Sequence, residues 1–77
     1  MKKIENSECL NGFGKFIRQG REKRDMLKTE VAIEVGISQA YYSYLERGER
    51  EIDFGLALKI CQVLHLDLSD FISAYME

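Results

Sequence analysis

Residues 28–47 read KTEVAIEVGISQAYYSYLER, and the glycine near the middle decides how the stretch folds. Before it, Val31, Ala32 and Val35 share one helical face; after it, Tyr42 and Leu45 point inward at i and i+3. Gly36 stops the first run, as a residue able to adopt a left-handed backbone conformation does. Ser38 is a good N-cap for the second run, which Gly48 ends. Each segment is shorter than an isolated helix in water can be. Both are therefore expected to be held by packing, on each other and on the helices around them.

Those neighbours are legible on either side. From about Asn11 to Arg24, Phe13, Phe16, Ile17 and Gly20 recur at helical spacing with basic residues between them, a first helix. Downstream, Asp53 caps a fourth helix with Phe54, Ala57, Ile60, Cys61 and Leu64 along its buried stripe. Asp67 caps a fifth carrying Leu68, Phe71, Ile72 and Tyr75. The chain has no proline, no alternating β-branched run and no repeat. The expected fold class is all-α: a polar tail over residues 1–10, then one compact five-helix domain over residues 11–77.

The 77 residues suffice for one domain, whose core rarely supplies more than ~3 to 5 kcal/mol unaided, so a stabilising device such as a partner subunit is expected. No stretch approaches the ~18 continuous apolar residues of a membrane span, and MKKIENSEC lacks the apolar run of a signal peptide. A cytoplasmic, membrane-free protein is expected. Cys9 and Cys61 read as thiols. With His65 the single histidine, they are too few and too far apart for a zinc site, so neither metal nor cofactor is expected. Net charge is −2, but it is unevenly spread: residues 13–50 carry eight basic and six acidic side chains, residues 51–77 one basic and five acidic. One side of the molecule is thus compatible with an anionic ligand. No paired carboxylates, Ser–His or Cys–His constellation, or phosphate loop is visible, and an enzyme is not expected.

Two short helices joined by a glycine-containing turn form the helix-turn-helix signature. From Phe13 to Phe71 the sequence resembles the Cro/XRE-type helix-turn-helix family of phage repressors and small bacterial regulators. The resemblance rests on small Ala32 where the two helices touch, Gly36 in the turn, and Val31, Val35, Ile37, Tyr42 and Leu45 at positions the family buries. LERGER, residues 45–50, and FGLALKICQVLHLDLSDF, residues 54–71, extend it. Several positions depart from the family pattern. Leu27 replaces a Ser or Thr N-cap, Lys28 a Gln, Gly20 a large apolar residue, Ile52 a proline and His65 a helix-ending glycine.

The resemblance implies a double-stranded DNA partner, with the third helix in the major groove. Ser38, Gln39, Ala40, Ser43 and Tyr44 are then the base-reading face; Gln39 suits the N6 and N7 atoms of adenine and Ala40 a thymine methyl. Lys28, Tyr41, Arg47, Arg50 and Lys15 are the candidate phosphate contacts. Arg21 and Glu46 occupy the positions of the family's buried ion pair, a structural role. Leu66, Leu68, Phe71, Ile72, Tyr75 and Met76 exceed what one short helix need bury, and such a surplus marks an interface, here a two-fold dimer. The leading expectation is a sequence-specific transcriptional repressor that acts by occupying a palindromic operator as a homodimer. The alternative is an antitoxin, or another interaction module, that binds a partner protein as well as DNA.

Overall fold

The computed structural model describes residues 3–76, with the backbone alone at Tyr75 and Met76; the Tyr75 side chain, expected at a dimer contact, lies outside the described residues. In chain order the elements are β1 (Lys3–Ile4), α1 (Ser7–Lys23), α2 (Lys28–Val35), α3 (Gln39–Glu46), β2 (Ile52–Asp53), α4 (Phe54–Val63) and α5 (Leu68–Met76). The all-α class and the five helices agree with the sequence expectation. The tail does not: residues 3–10 are folded into the domain. Ile4 pairs antiparallel with Ile52 and Lys3 with Asp53, both isoleucines are buried, and Lys3 Nζ meets Glu51 at 2.9 Å. Asn6 Oδ1 accepts the amides of Glu8 and Cys9, so α1 starts at Ser7 rather than near Asn11. A two-residue strand has no alternation to read. Ile4 stands alone among polar residues, whereas Leu10, three residues before Phe13, continues the apolar stripe of α1 toward its N-terminus.

The other helix starts follow the residues that cap them. Ser38 Oγ accepts the Tyr41 amide, Asp53 Oδ1 that of Leu56, and Asp67 Oδ1 that of Ser69. Leu27 has no side-chain oxygen to offer α2, but Glu30 reaches back and accepts the Leu27 amide at 2.7 Å, one half of a capping box. The helix ends share a single device. At each of α1 to α4 the chain closes with a 6→1 backbone bond: Met26 to Arg21, Ile37 to Ala32, Glu49 to Tyr44, and Leu66 to Cys61. This closure needs a left-handed residue, supplied by Gly36 and Gly48 at two ends and by Asp25 (φ 54°) and His65 (φ 56°) at the others.

Two glycines of α1 set how closely helices approach. A Cβ at Gly14 would lie 2.7 Å from the Leu45 carbonyl oxygen and nearer still to that of Glu46, so α1 and the end of α3 touch backbone to backbone. At Gly20 the space of a larger side chain is taken by Leu66, whose Cδ1 would be 2.6 Å from an added Cβ. The core is built on Phe13, Ile17, Tyr42, Leu45, Ile52 and Ile60. Phe71 of α5 packs edge-on to Phe13, with ring centroids 5.3 Å apart, and tilted to Phe16 at 5.7 Å. Here the apolar surplus of the C-terminal segment is largely absorbed. Leu68 and Phe71, expected at a dimer contact, are buried in the chain's own core, while Leu66 and Ile72 are half-buried.

A non-glycine residue in the left-handed region carries a strain of about 1 kcal/mol, part of which glycine returns as greater unfolded-state freedom. His65→Gly is therefore expected to stabilise the fold by roughly 0.5 kcal/mol or more, raising the melting temperature by a few degrees. A thermal melt showing no gain would mean that the His65 side chain makes contacts that offset its backbone strain. The two cysteines provide a second check. Cys61 is fully buried, and desolvation pushes its thiol up to about 11, whereas Cys9 is only half-buried. Alkylation of the native protein at pH 8 is expected to label Cys9 alone, with Cys61 reacting only in denaturant.

Candidate nucleic-acid interface

The turn between α2 and α3 is where the quoted stretch becomes a surface. Ala32 is buried where the two helices meet, and Gly36 at φ 80° reverses the chain without strain. The Ile37 amide bonds back to the Ala32 carbonyl at 3.0 Å, closing the end of α2. Ser38 then starts α3 in a fixed direction. Its inward side buries Tyr42, Leu45 and Glu46; Ser38, Gln39 and Ala40 are exposed at its N-terminal end, and Ser43 and Tyr44 are partly exposed further along. The five expected base-reading residues thus lie on the outer side of one short helix.

Glu46 is buried because Arg21 meets it. Arg21 donates to both carboxylate oxygens, Nε to Oε2 at 2.6 Å and Nη2 to Oε1 at 3.1 Å, and its Nη1 donates to the Met26 carbonyl at 2.9 Å. The side chains are 13% and 3% exposed. Hydrogen bonding to Glu46 raises the Arg21 pKa, so the guanidinium is charged at every relevant pH. The Tyr42 hydroxyl lies buried beside this pair, with no hydrogen-bond partner among the described residues, and desolvation followed by the Glu46 carboxylate drives its titration upward.

Lys28 at the start of α2 and Arg47 at the end of α3 come together with Arg18, Arg21, Glu22 and Glu46 around a surface depression of about 310 Å³. Four cations line it against two carboxylates, Glu46 engaged by Arg21 and Glu22 by Arg18. Arg18, paired to Glu22 at 3.2 Å, was not singled out from sequence, although its position three residues before Arg21 puts it on the same side of α1. Lys15 is exposed and does not line the depression. Tyr41 is pinned away from it: its hydroxyl donates to the Glu51 carbonyl at 3.0 Å, in the loop that follows α3. Arg47, at i+3 from Tyr44, stands 5.0 Å from its ring centroid, and Arg50 lies over the ring at 4.8 Å, a contact made through the turn that leaves no trace in the sequence spacing. Among the described residues no three His, Cys, Asp or Glu side chains gather in a metal-holding arrangement, and no helix is long and apolar enough to cross a membrane.

Residues 17–71 match the family model described as helix-turn-helix, of the Cro/C1 type. Among solved structures, the clp gene regulator ClgR from Corynebacterium glutamicum is similar, with a TM-score of 0.80 and 26% identity. The similarity covers 83% of this chain and 68% of that one. No curated protein sequence matches.

Structure and surface separate cleanly by mutation. Glu46→Ala strands Arg21 in a mostly buried site and is expected to cost about 3 kcal/mol, on the order of 10 °C or more in melting temperature. Gln39→Ala, on an exposed face, is expected to change stability by less than about 0.5 kcal/mol. Comparable losses in the two thermal melts would contradict this division of α3 into a structural and a surface side.

Proposed function

The chain belongs to the Cro/C1-type helix-turn-helix family of DNA-binding transcriptional regulators, and from that premise we propose that it represses transcription by occupying a palindromic operator as a dimer. The observation that carries this reading is the exposed N-terminal side of α3. Gln39 and Ala40 are there free of packing duties, beside the capping Ser38, whose hydroxyl accepts the Tyr41 amide and keeps its own proton to donate, on a helix whose other end is fixed by a buried ion pair. A Gln amide on such a face can make a bidentate contact with adenine, worth about 1 to 3 kcal/mol of discrimination. Lys28, Arg18 and Arg47 beside it supply the charge for phosphate contacts, which position the helix and carry non-specific affinity. The acidic C-terminal third of the chain is then turned from the DNA.

Repression by occupancy needs nothing beyond affinity and position. In this reading the reading helix blocks polymerase access or competes with other regulators, and the protein works in the cytoplasm where its operator lies. The dimer is proposed for the edge of α5 that remains partly exposed, Ile72 together with the apolar groove of about 280 Å³ that Ile4, Cys9, Phe54 and Phe71 form beside it. Two subunits joined by a two-fold axis would present their α3 helices to half-sites roughly 10 bp apart, or a multiple of that spacing.

Selecting bound duplexes from random-sequence DNA tests the reading as a whole. The expected product is an inverted repeat of that spacing with an adenine whose preference is lost in Gln39→Ala. Ile72→Glu, which charges a half-exposed position, is expected to yield a folded monomer at micromolar concentration in sedimentation, with operator affinity reduced at least tenfold. Selection of a single unrepeated half-site by a wild-type monomer would contradict the dimer. Recovery of no preferred sequence would contradict specific binding.

A further inference from the structure

Tyr44 was expected from sequence to read bases, and its surroundings argue for another task. The closing turn of α3 folds the chain back on the helix. Gly48 at φ 70° donates to the Leu45 carbonyl at 3.1 Å, and the Glu49 amide to that of Tyr44 at 2.9 Å. The turn is fixed from below as well, since a Cβ at Gly48 would lie 2.9 Å from the backbone N and Cα of Asn11 in α1. The backbone thus has one course here, and it brings residues 47 and 50 to the ring of residue 44.

Both guanidinium carbons stand within 5.0 Å of the ring centroid, well inside cation–π range. Two like charges held to one ring repel each other. The electron-rich face offsets part of that repulsion, and Glu49 offsets more, its carboxylate meeting Arg47 Nε at 3.1 Å. Arg50 makes no hydrogen bond or ion pair among the described residues, so all its donors are available. The cluster of two arginines and one glutamate carries a net positive charge at the C-terminal end of α3, where the helix dipole also favours cations. An exposed arginine that samples many rotamers must give up that freedom on binding; one already lying on a ring gives up less. A ring so covered is also less available to a base edge.

We propose that Tyr44 is a positioning residue: its ring gathers Arg47 and Arg50 into a preformed pair that grips the DNA phosphates at the far end of the reading helix. Base reading is then confined to Ser38, Gln39, Ala40 and Ser43. This rests on the DNA-binding reading above and adds to it the route by which one aromatic side chain acts on the backbone of the duplex. Since Glu49 is the partner of Arg47 in the free protein, a phosphate takes the place of its carboxylate on binding.

The test is the salt dependence of binding, measured on a duplex selected by the wild-type protein and on a scrambled duplex of the same length. Each phosphate contact contributes about 0.9 to the slope of log K against log salt. Tyr44→Phe keeps the ring and is expected to bind both duplexes within twofold of wild type, with the slope unchanged. Tyr44→Leu keeps apolar bulk without the ring; it is expected to weaken both duplexes by a similar factor, about five- to twentyfold, and to lower the slope by about one to two contacts. Arg50→Gln, at an exposed position, serves should Tyr44→Leu melt early: it is expected to lower the slope by about 0.9 in the wild-type background and to do so equally on both duplexes. Loss confined to the selected duplex with an unchanged slope, in Tyr44→Leu or in Tyr44→Phe, would overturn the proposal and return Tyr44 to base reading. Wild-type behaviour of Tyr44→Leu, or an unchanged slope in Arg50→Gln, would overturn it too. Only the absence of any binding by the wild-type protein would overturn the DNA-binding reading with it.

Discussion

The fork of hydrogen bonds from Arg21 joins three parts of the chain at one point: the C-terminal half of α1, the carbonyl of Met26 just before α2, and the last residue of α3. Neither α2 nor α3 is long enough to hold itself, so the angle of α3 is set by what its ends are tied to. At its N-terminus the tie is the Gly36 turn against Ala32. At its C-terminus it is the bidentate Glu46 contact, and that contact requires α1 to come as close as it does. Gly14 is the reason it can. A methyl group there would collide with the Leu45 and Glu46 carbonyls, push α1 outward and pull the guanidinium from its carboxylate. A buried ion pair is a poor source of net stability, because desolvation consumes most of the attraction. Its use here is orientation: a single arrangement satisfies three hydrogen bonds, and every alternative leaves a charge buried and uncompensated.

The same economy appears at the helix ends. Four consecutive helices close through one backbone motif, so each loop is short and each following helix leaves in a fixed direction. β1 adds a brace that the helical family match, which begins at residue 17, does not include. By pairing with β2 and anchoring Glu51 through Lys3, it holds the loop to which the Tyr41 hydroxyl is also bonded. That loop carries Arg50. The N-terminal segment is thus connected, through backbone and side chain, to the exposed end of the candidate interface.

Where the sequence spoke clearly, it did so through local chemistry. Gly36, Gly48, Ser38, Asp53 and Asp67 sit where their conformational or capping preferences put them, and the apolar spacing of α1 to α4 marked the buried faces. The Arg21–Glu46 pair came from family resemblance, since nothing in the spacing of two charges 25 residues apart marks them as partners. What stayed hidden was tertiary in origin. The strand at Ile4 is too short for a pattern, the fate of Phe71 depended on whether α1 offered Phe13 and Phe16 to cover it, and the role of Gly14 depended on Leu45 and Glu46, far along the chain. Tyr44 is half-exposed with Arg47 at i+3, a spacing that helical periodicity does describe, whereas Arg50 reaches the ring by way of a reversed chain that it does not.

In the function proposed here the outer side of α3, and not the apolar groove beside α5, meets DNA. Amide chemical-shift changes on titrating the isotope-labelled protein with its selected duplex test this residue by residue. The largest changes are expected at residues 38–43 and 47–50, with smaller ones at Lys28 and Arg18 and with α5 unaffected. Changes centred on Ile4, Cys9, Phe54 and Ile72, with the amides of α3 unmoved, would contradict it.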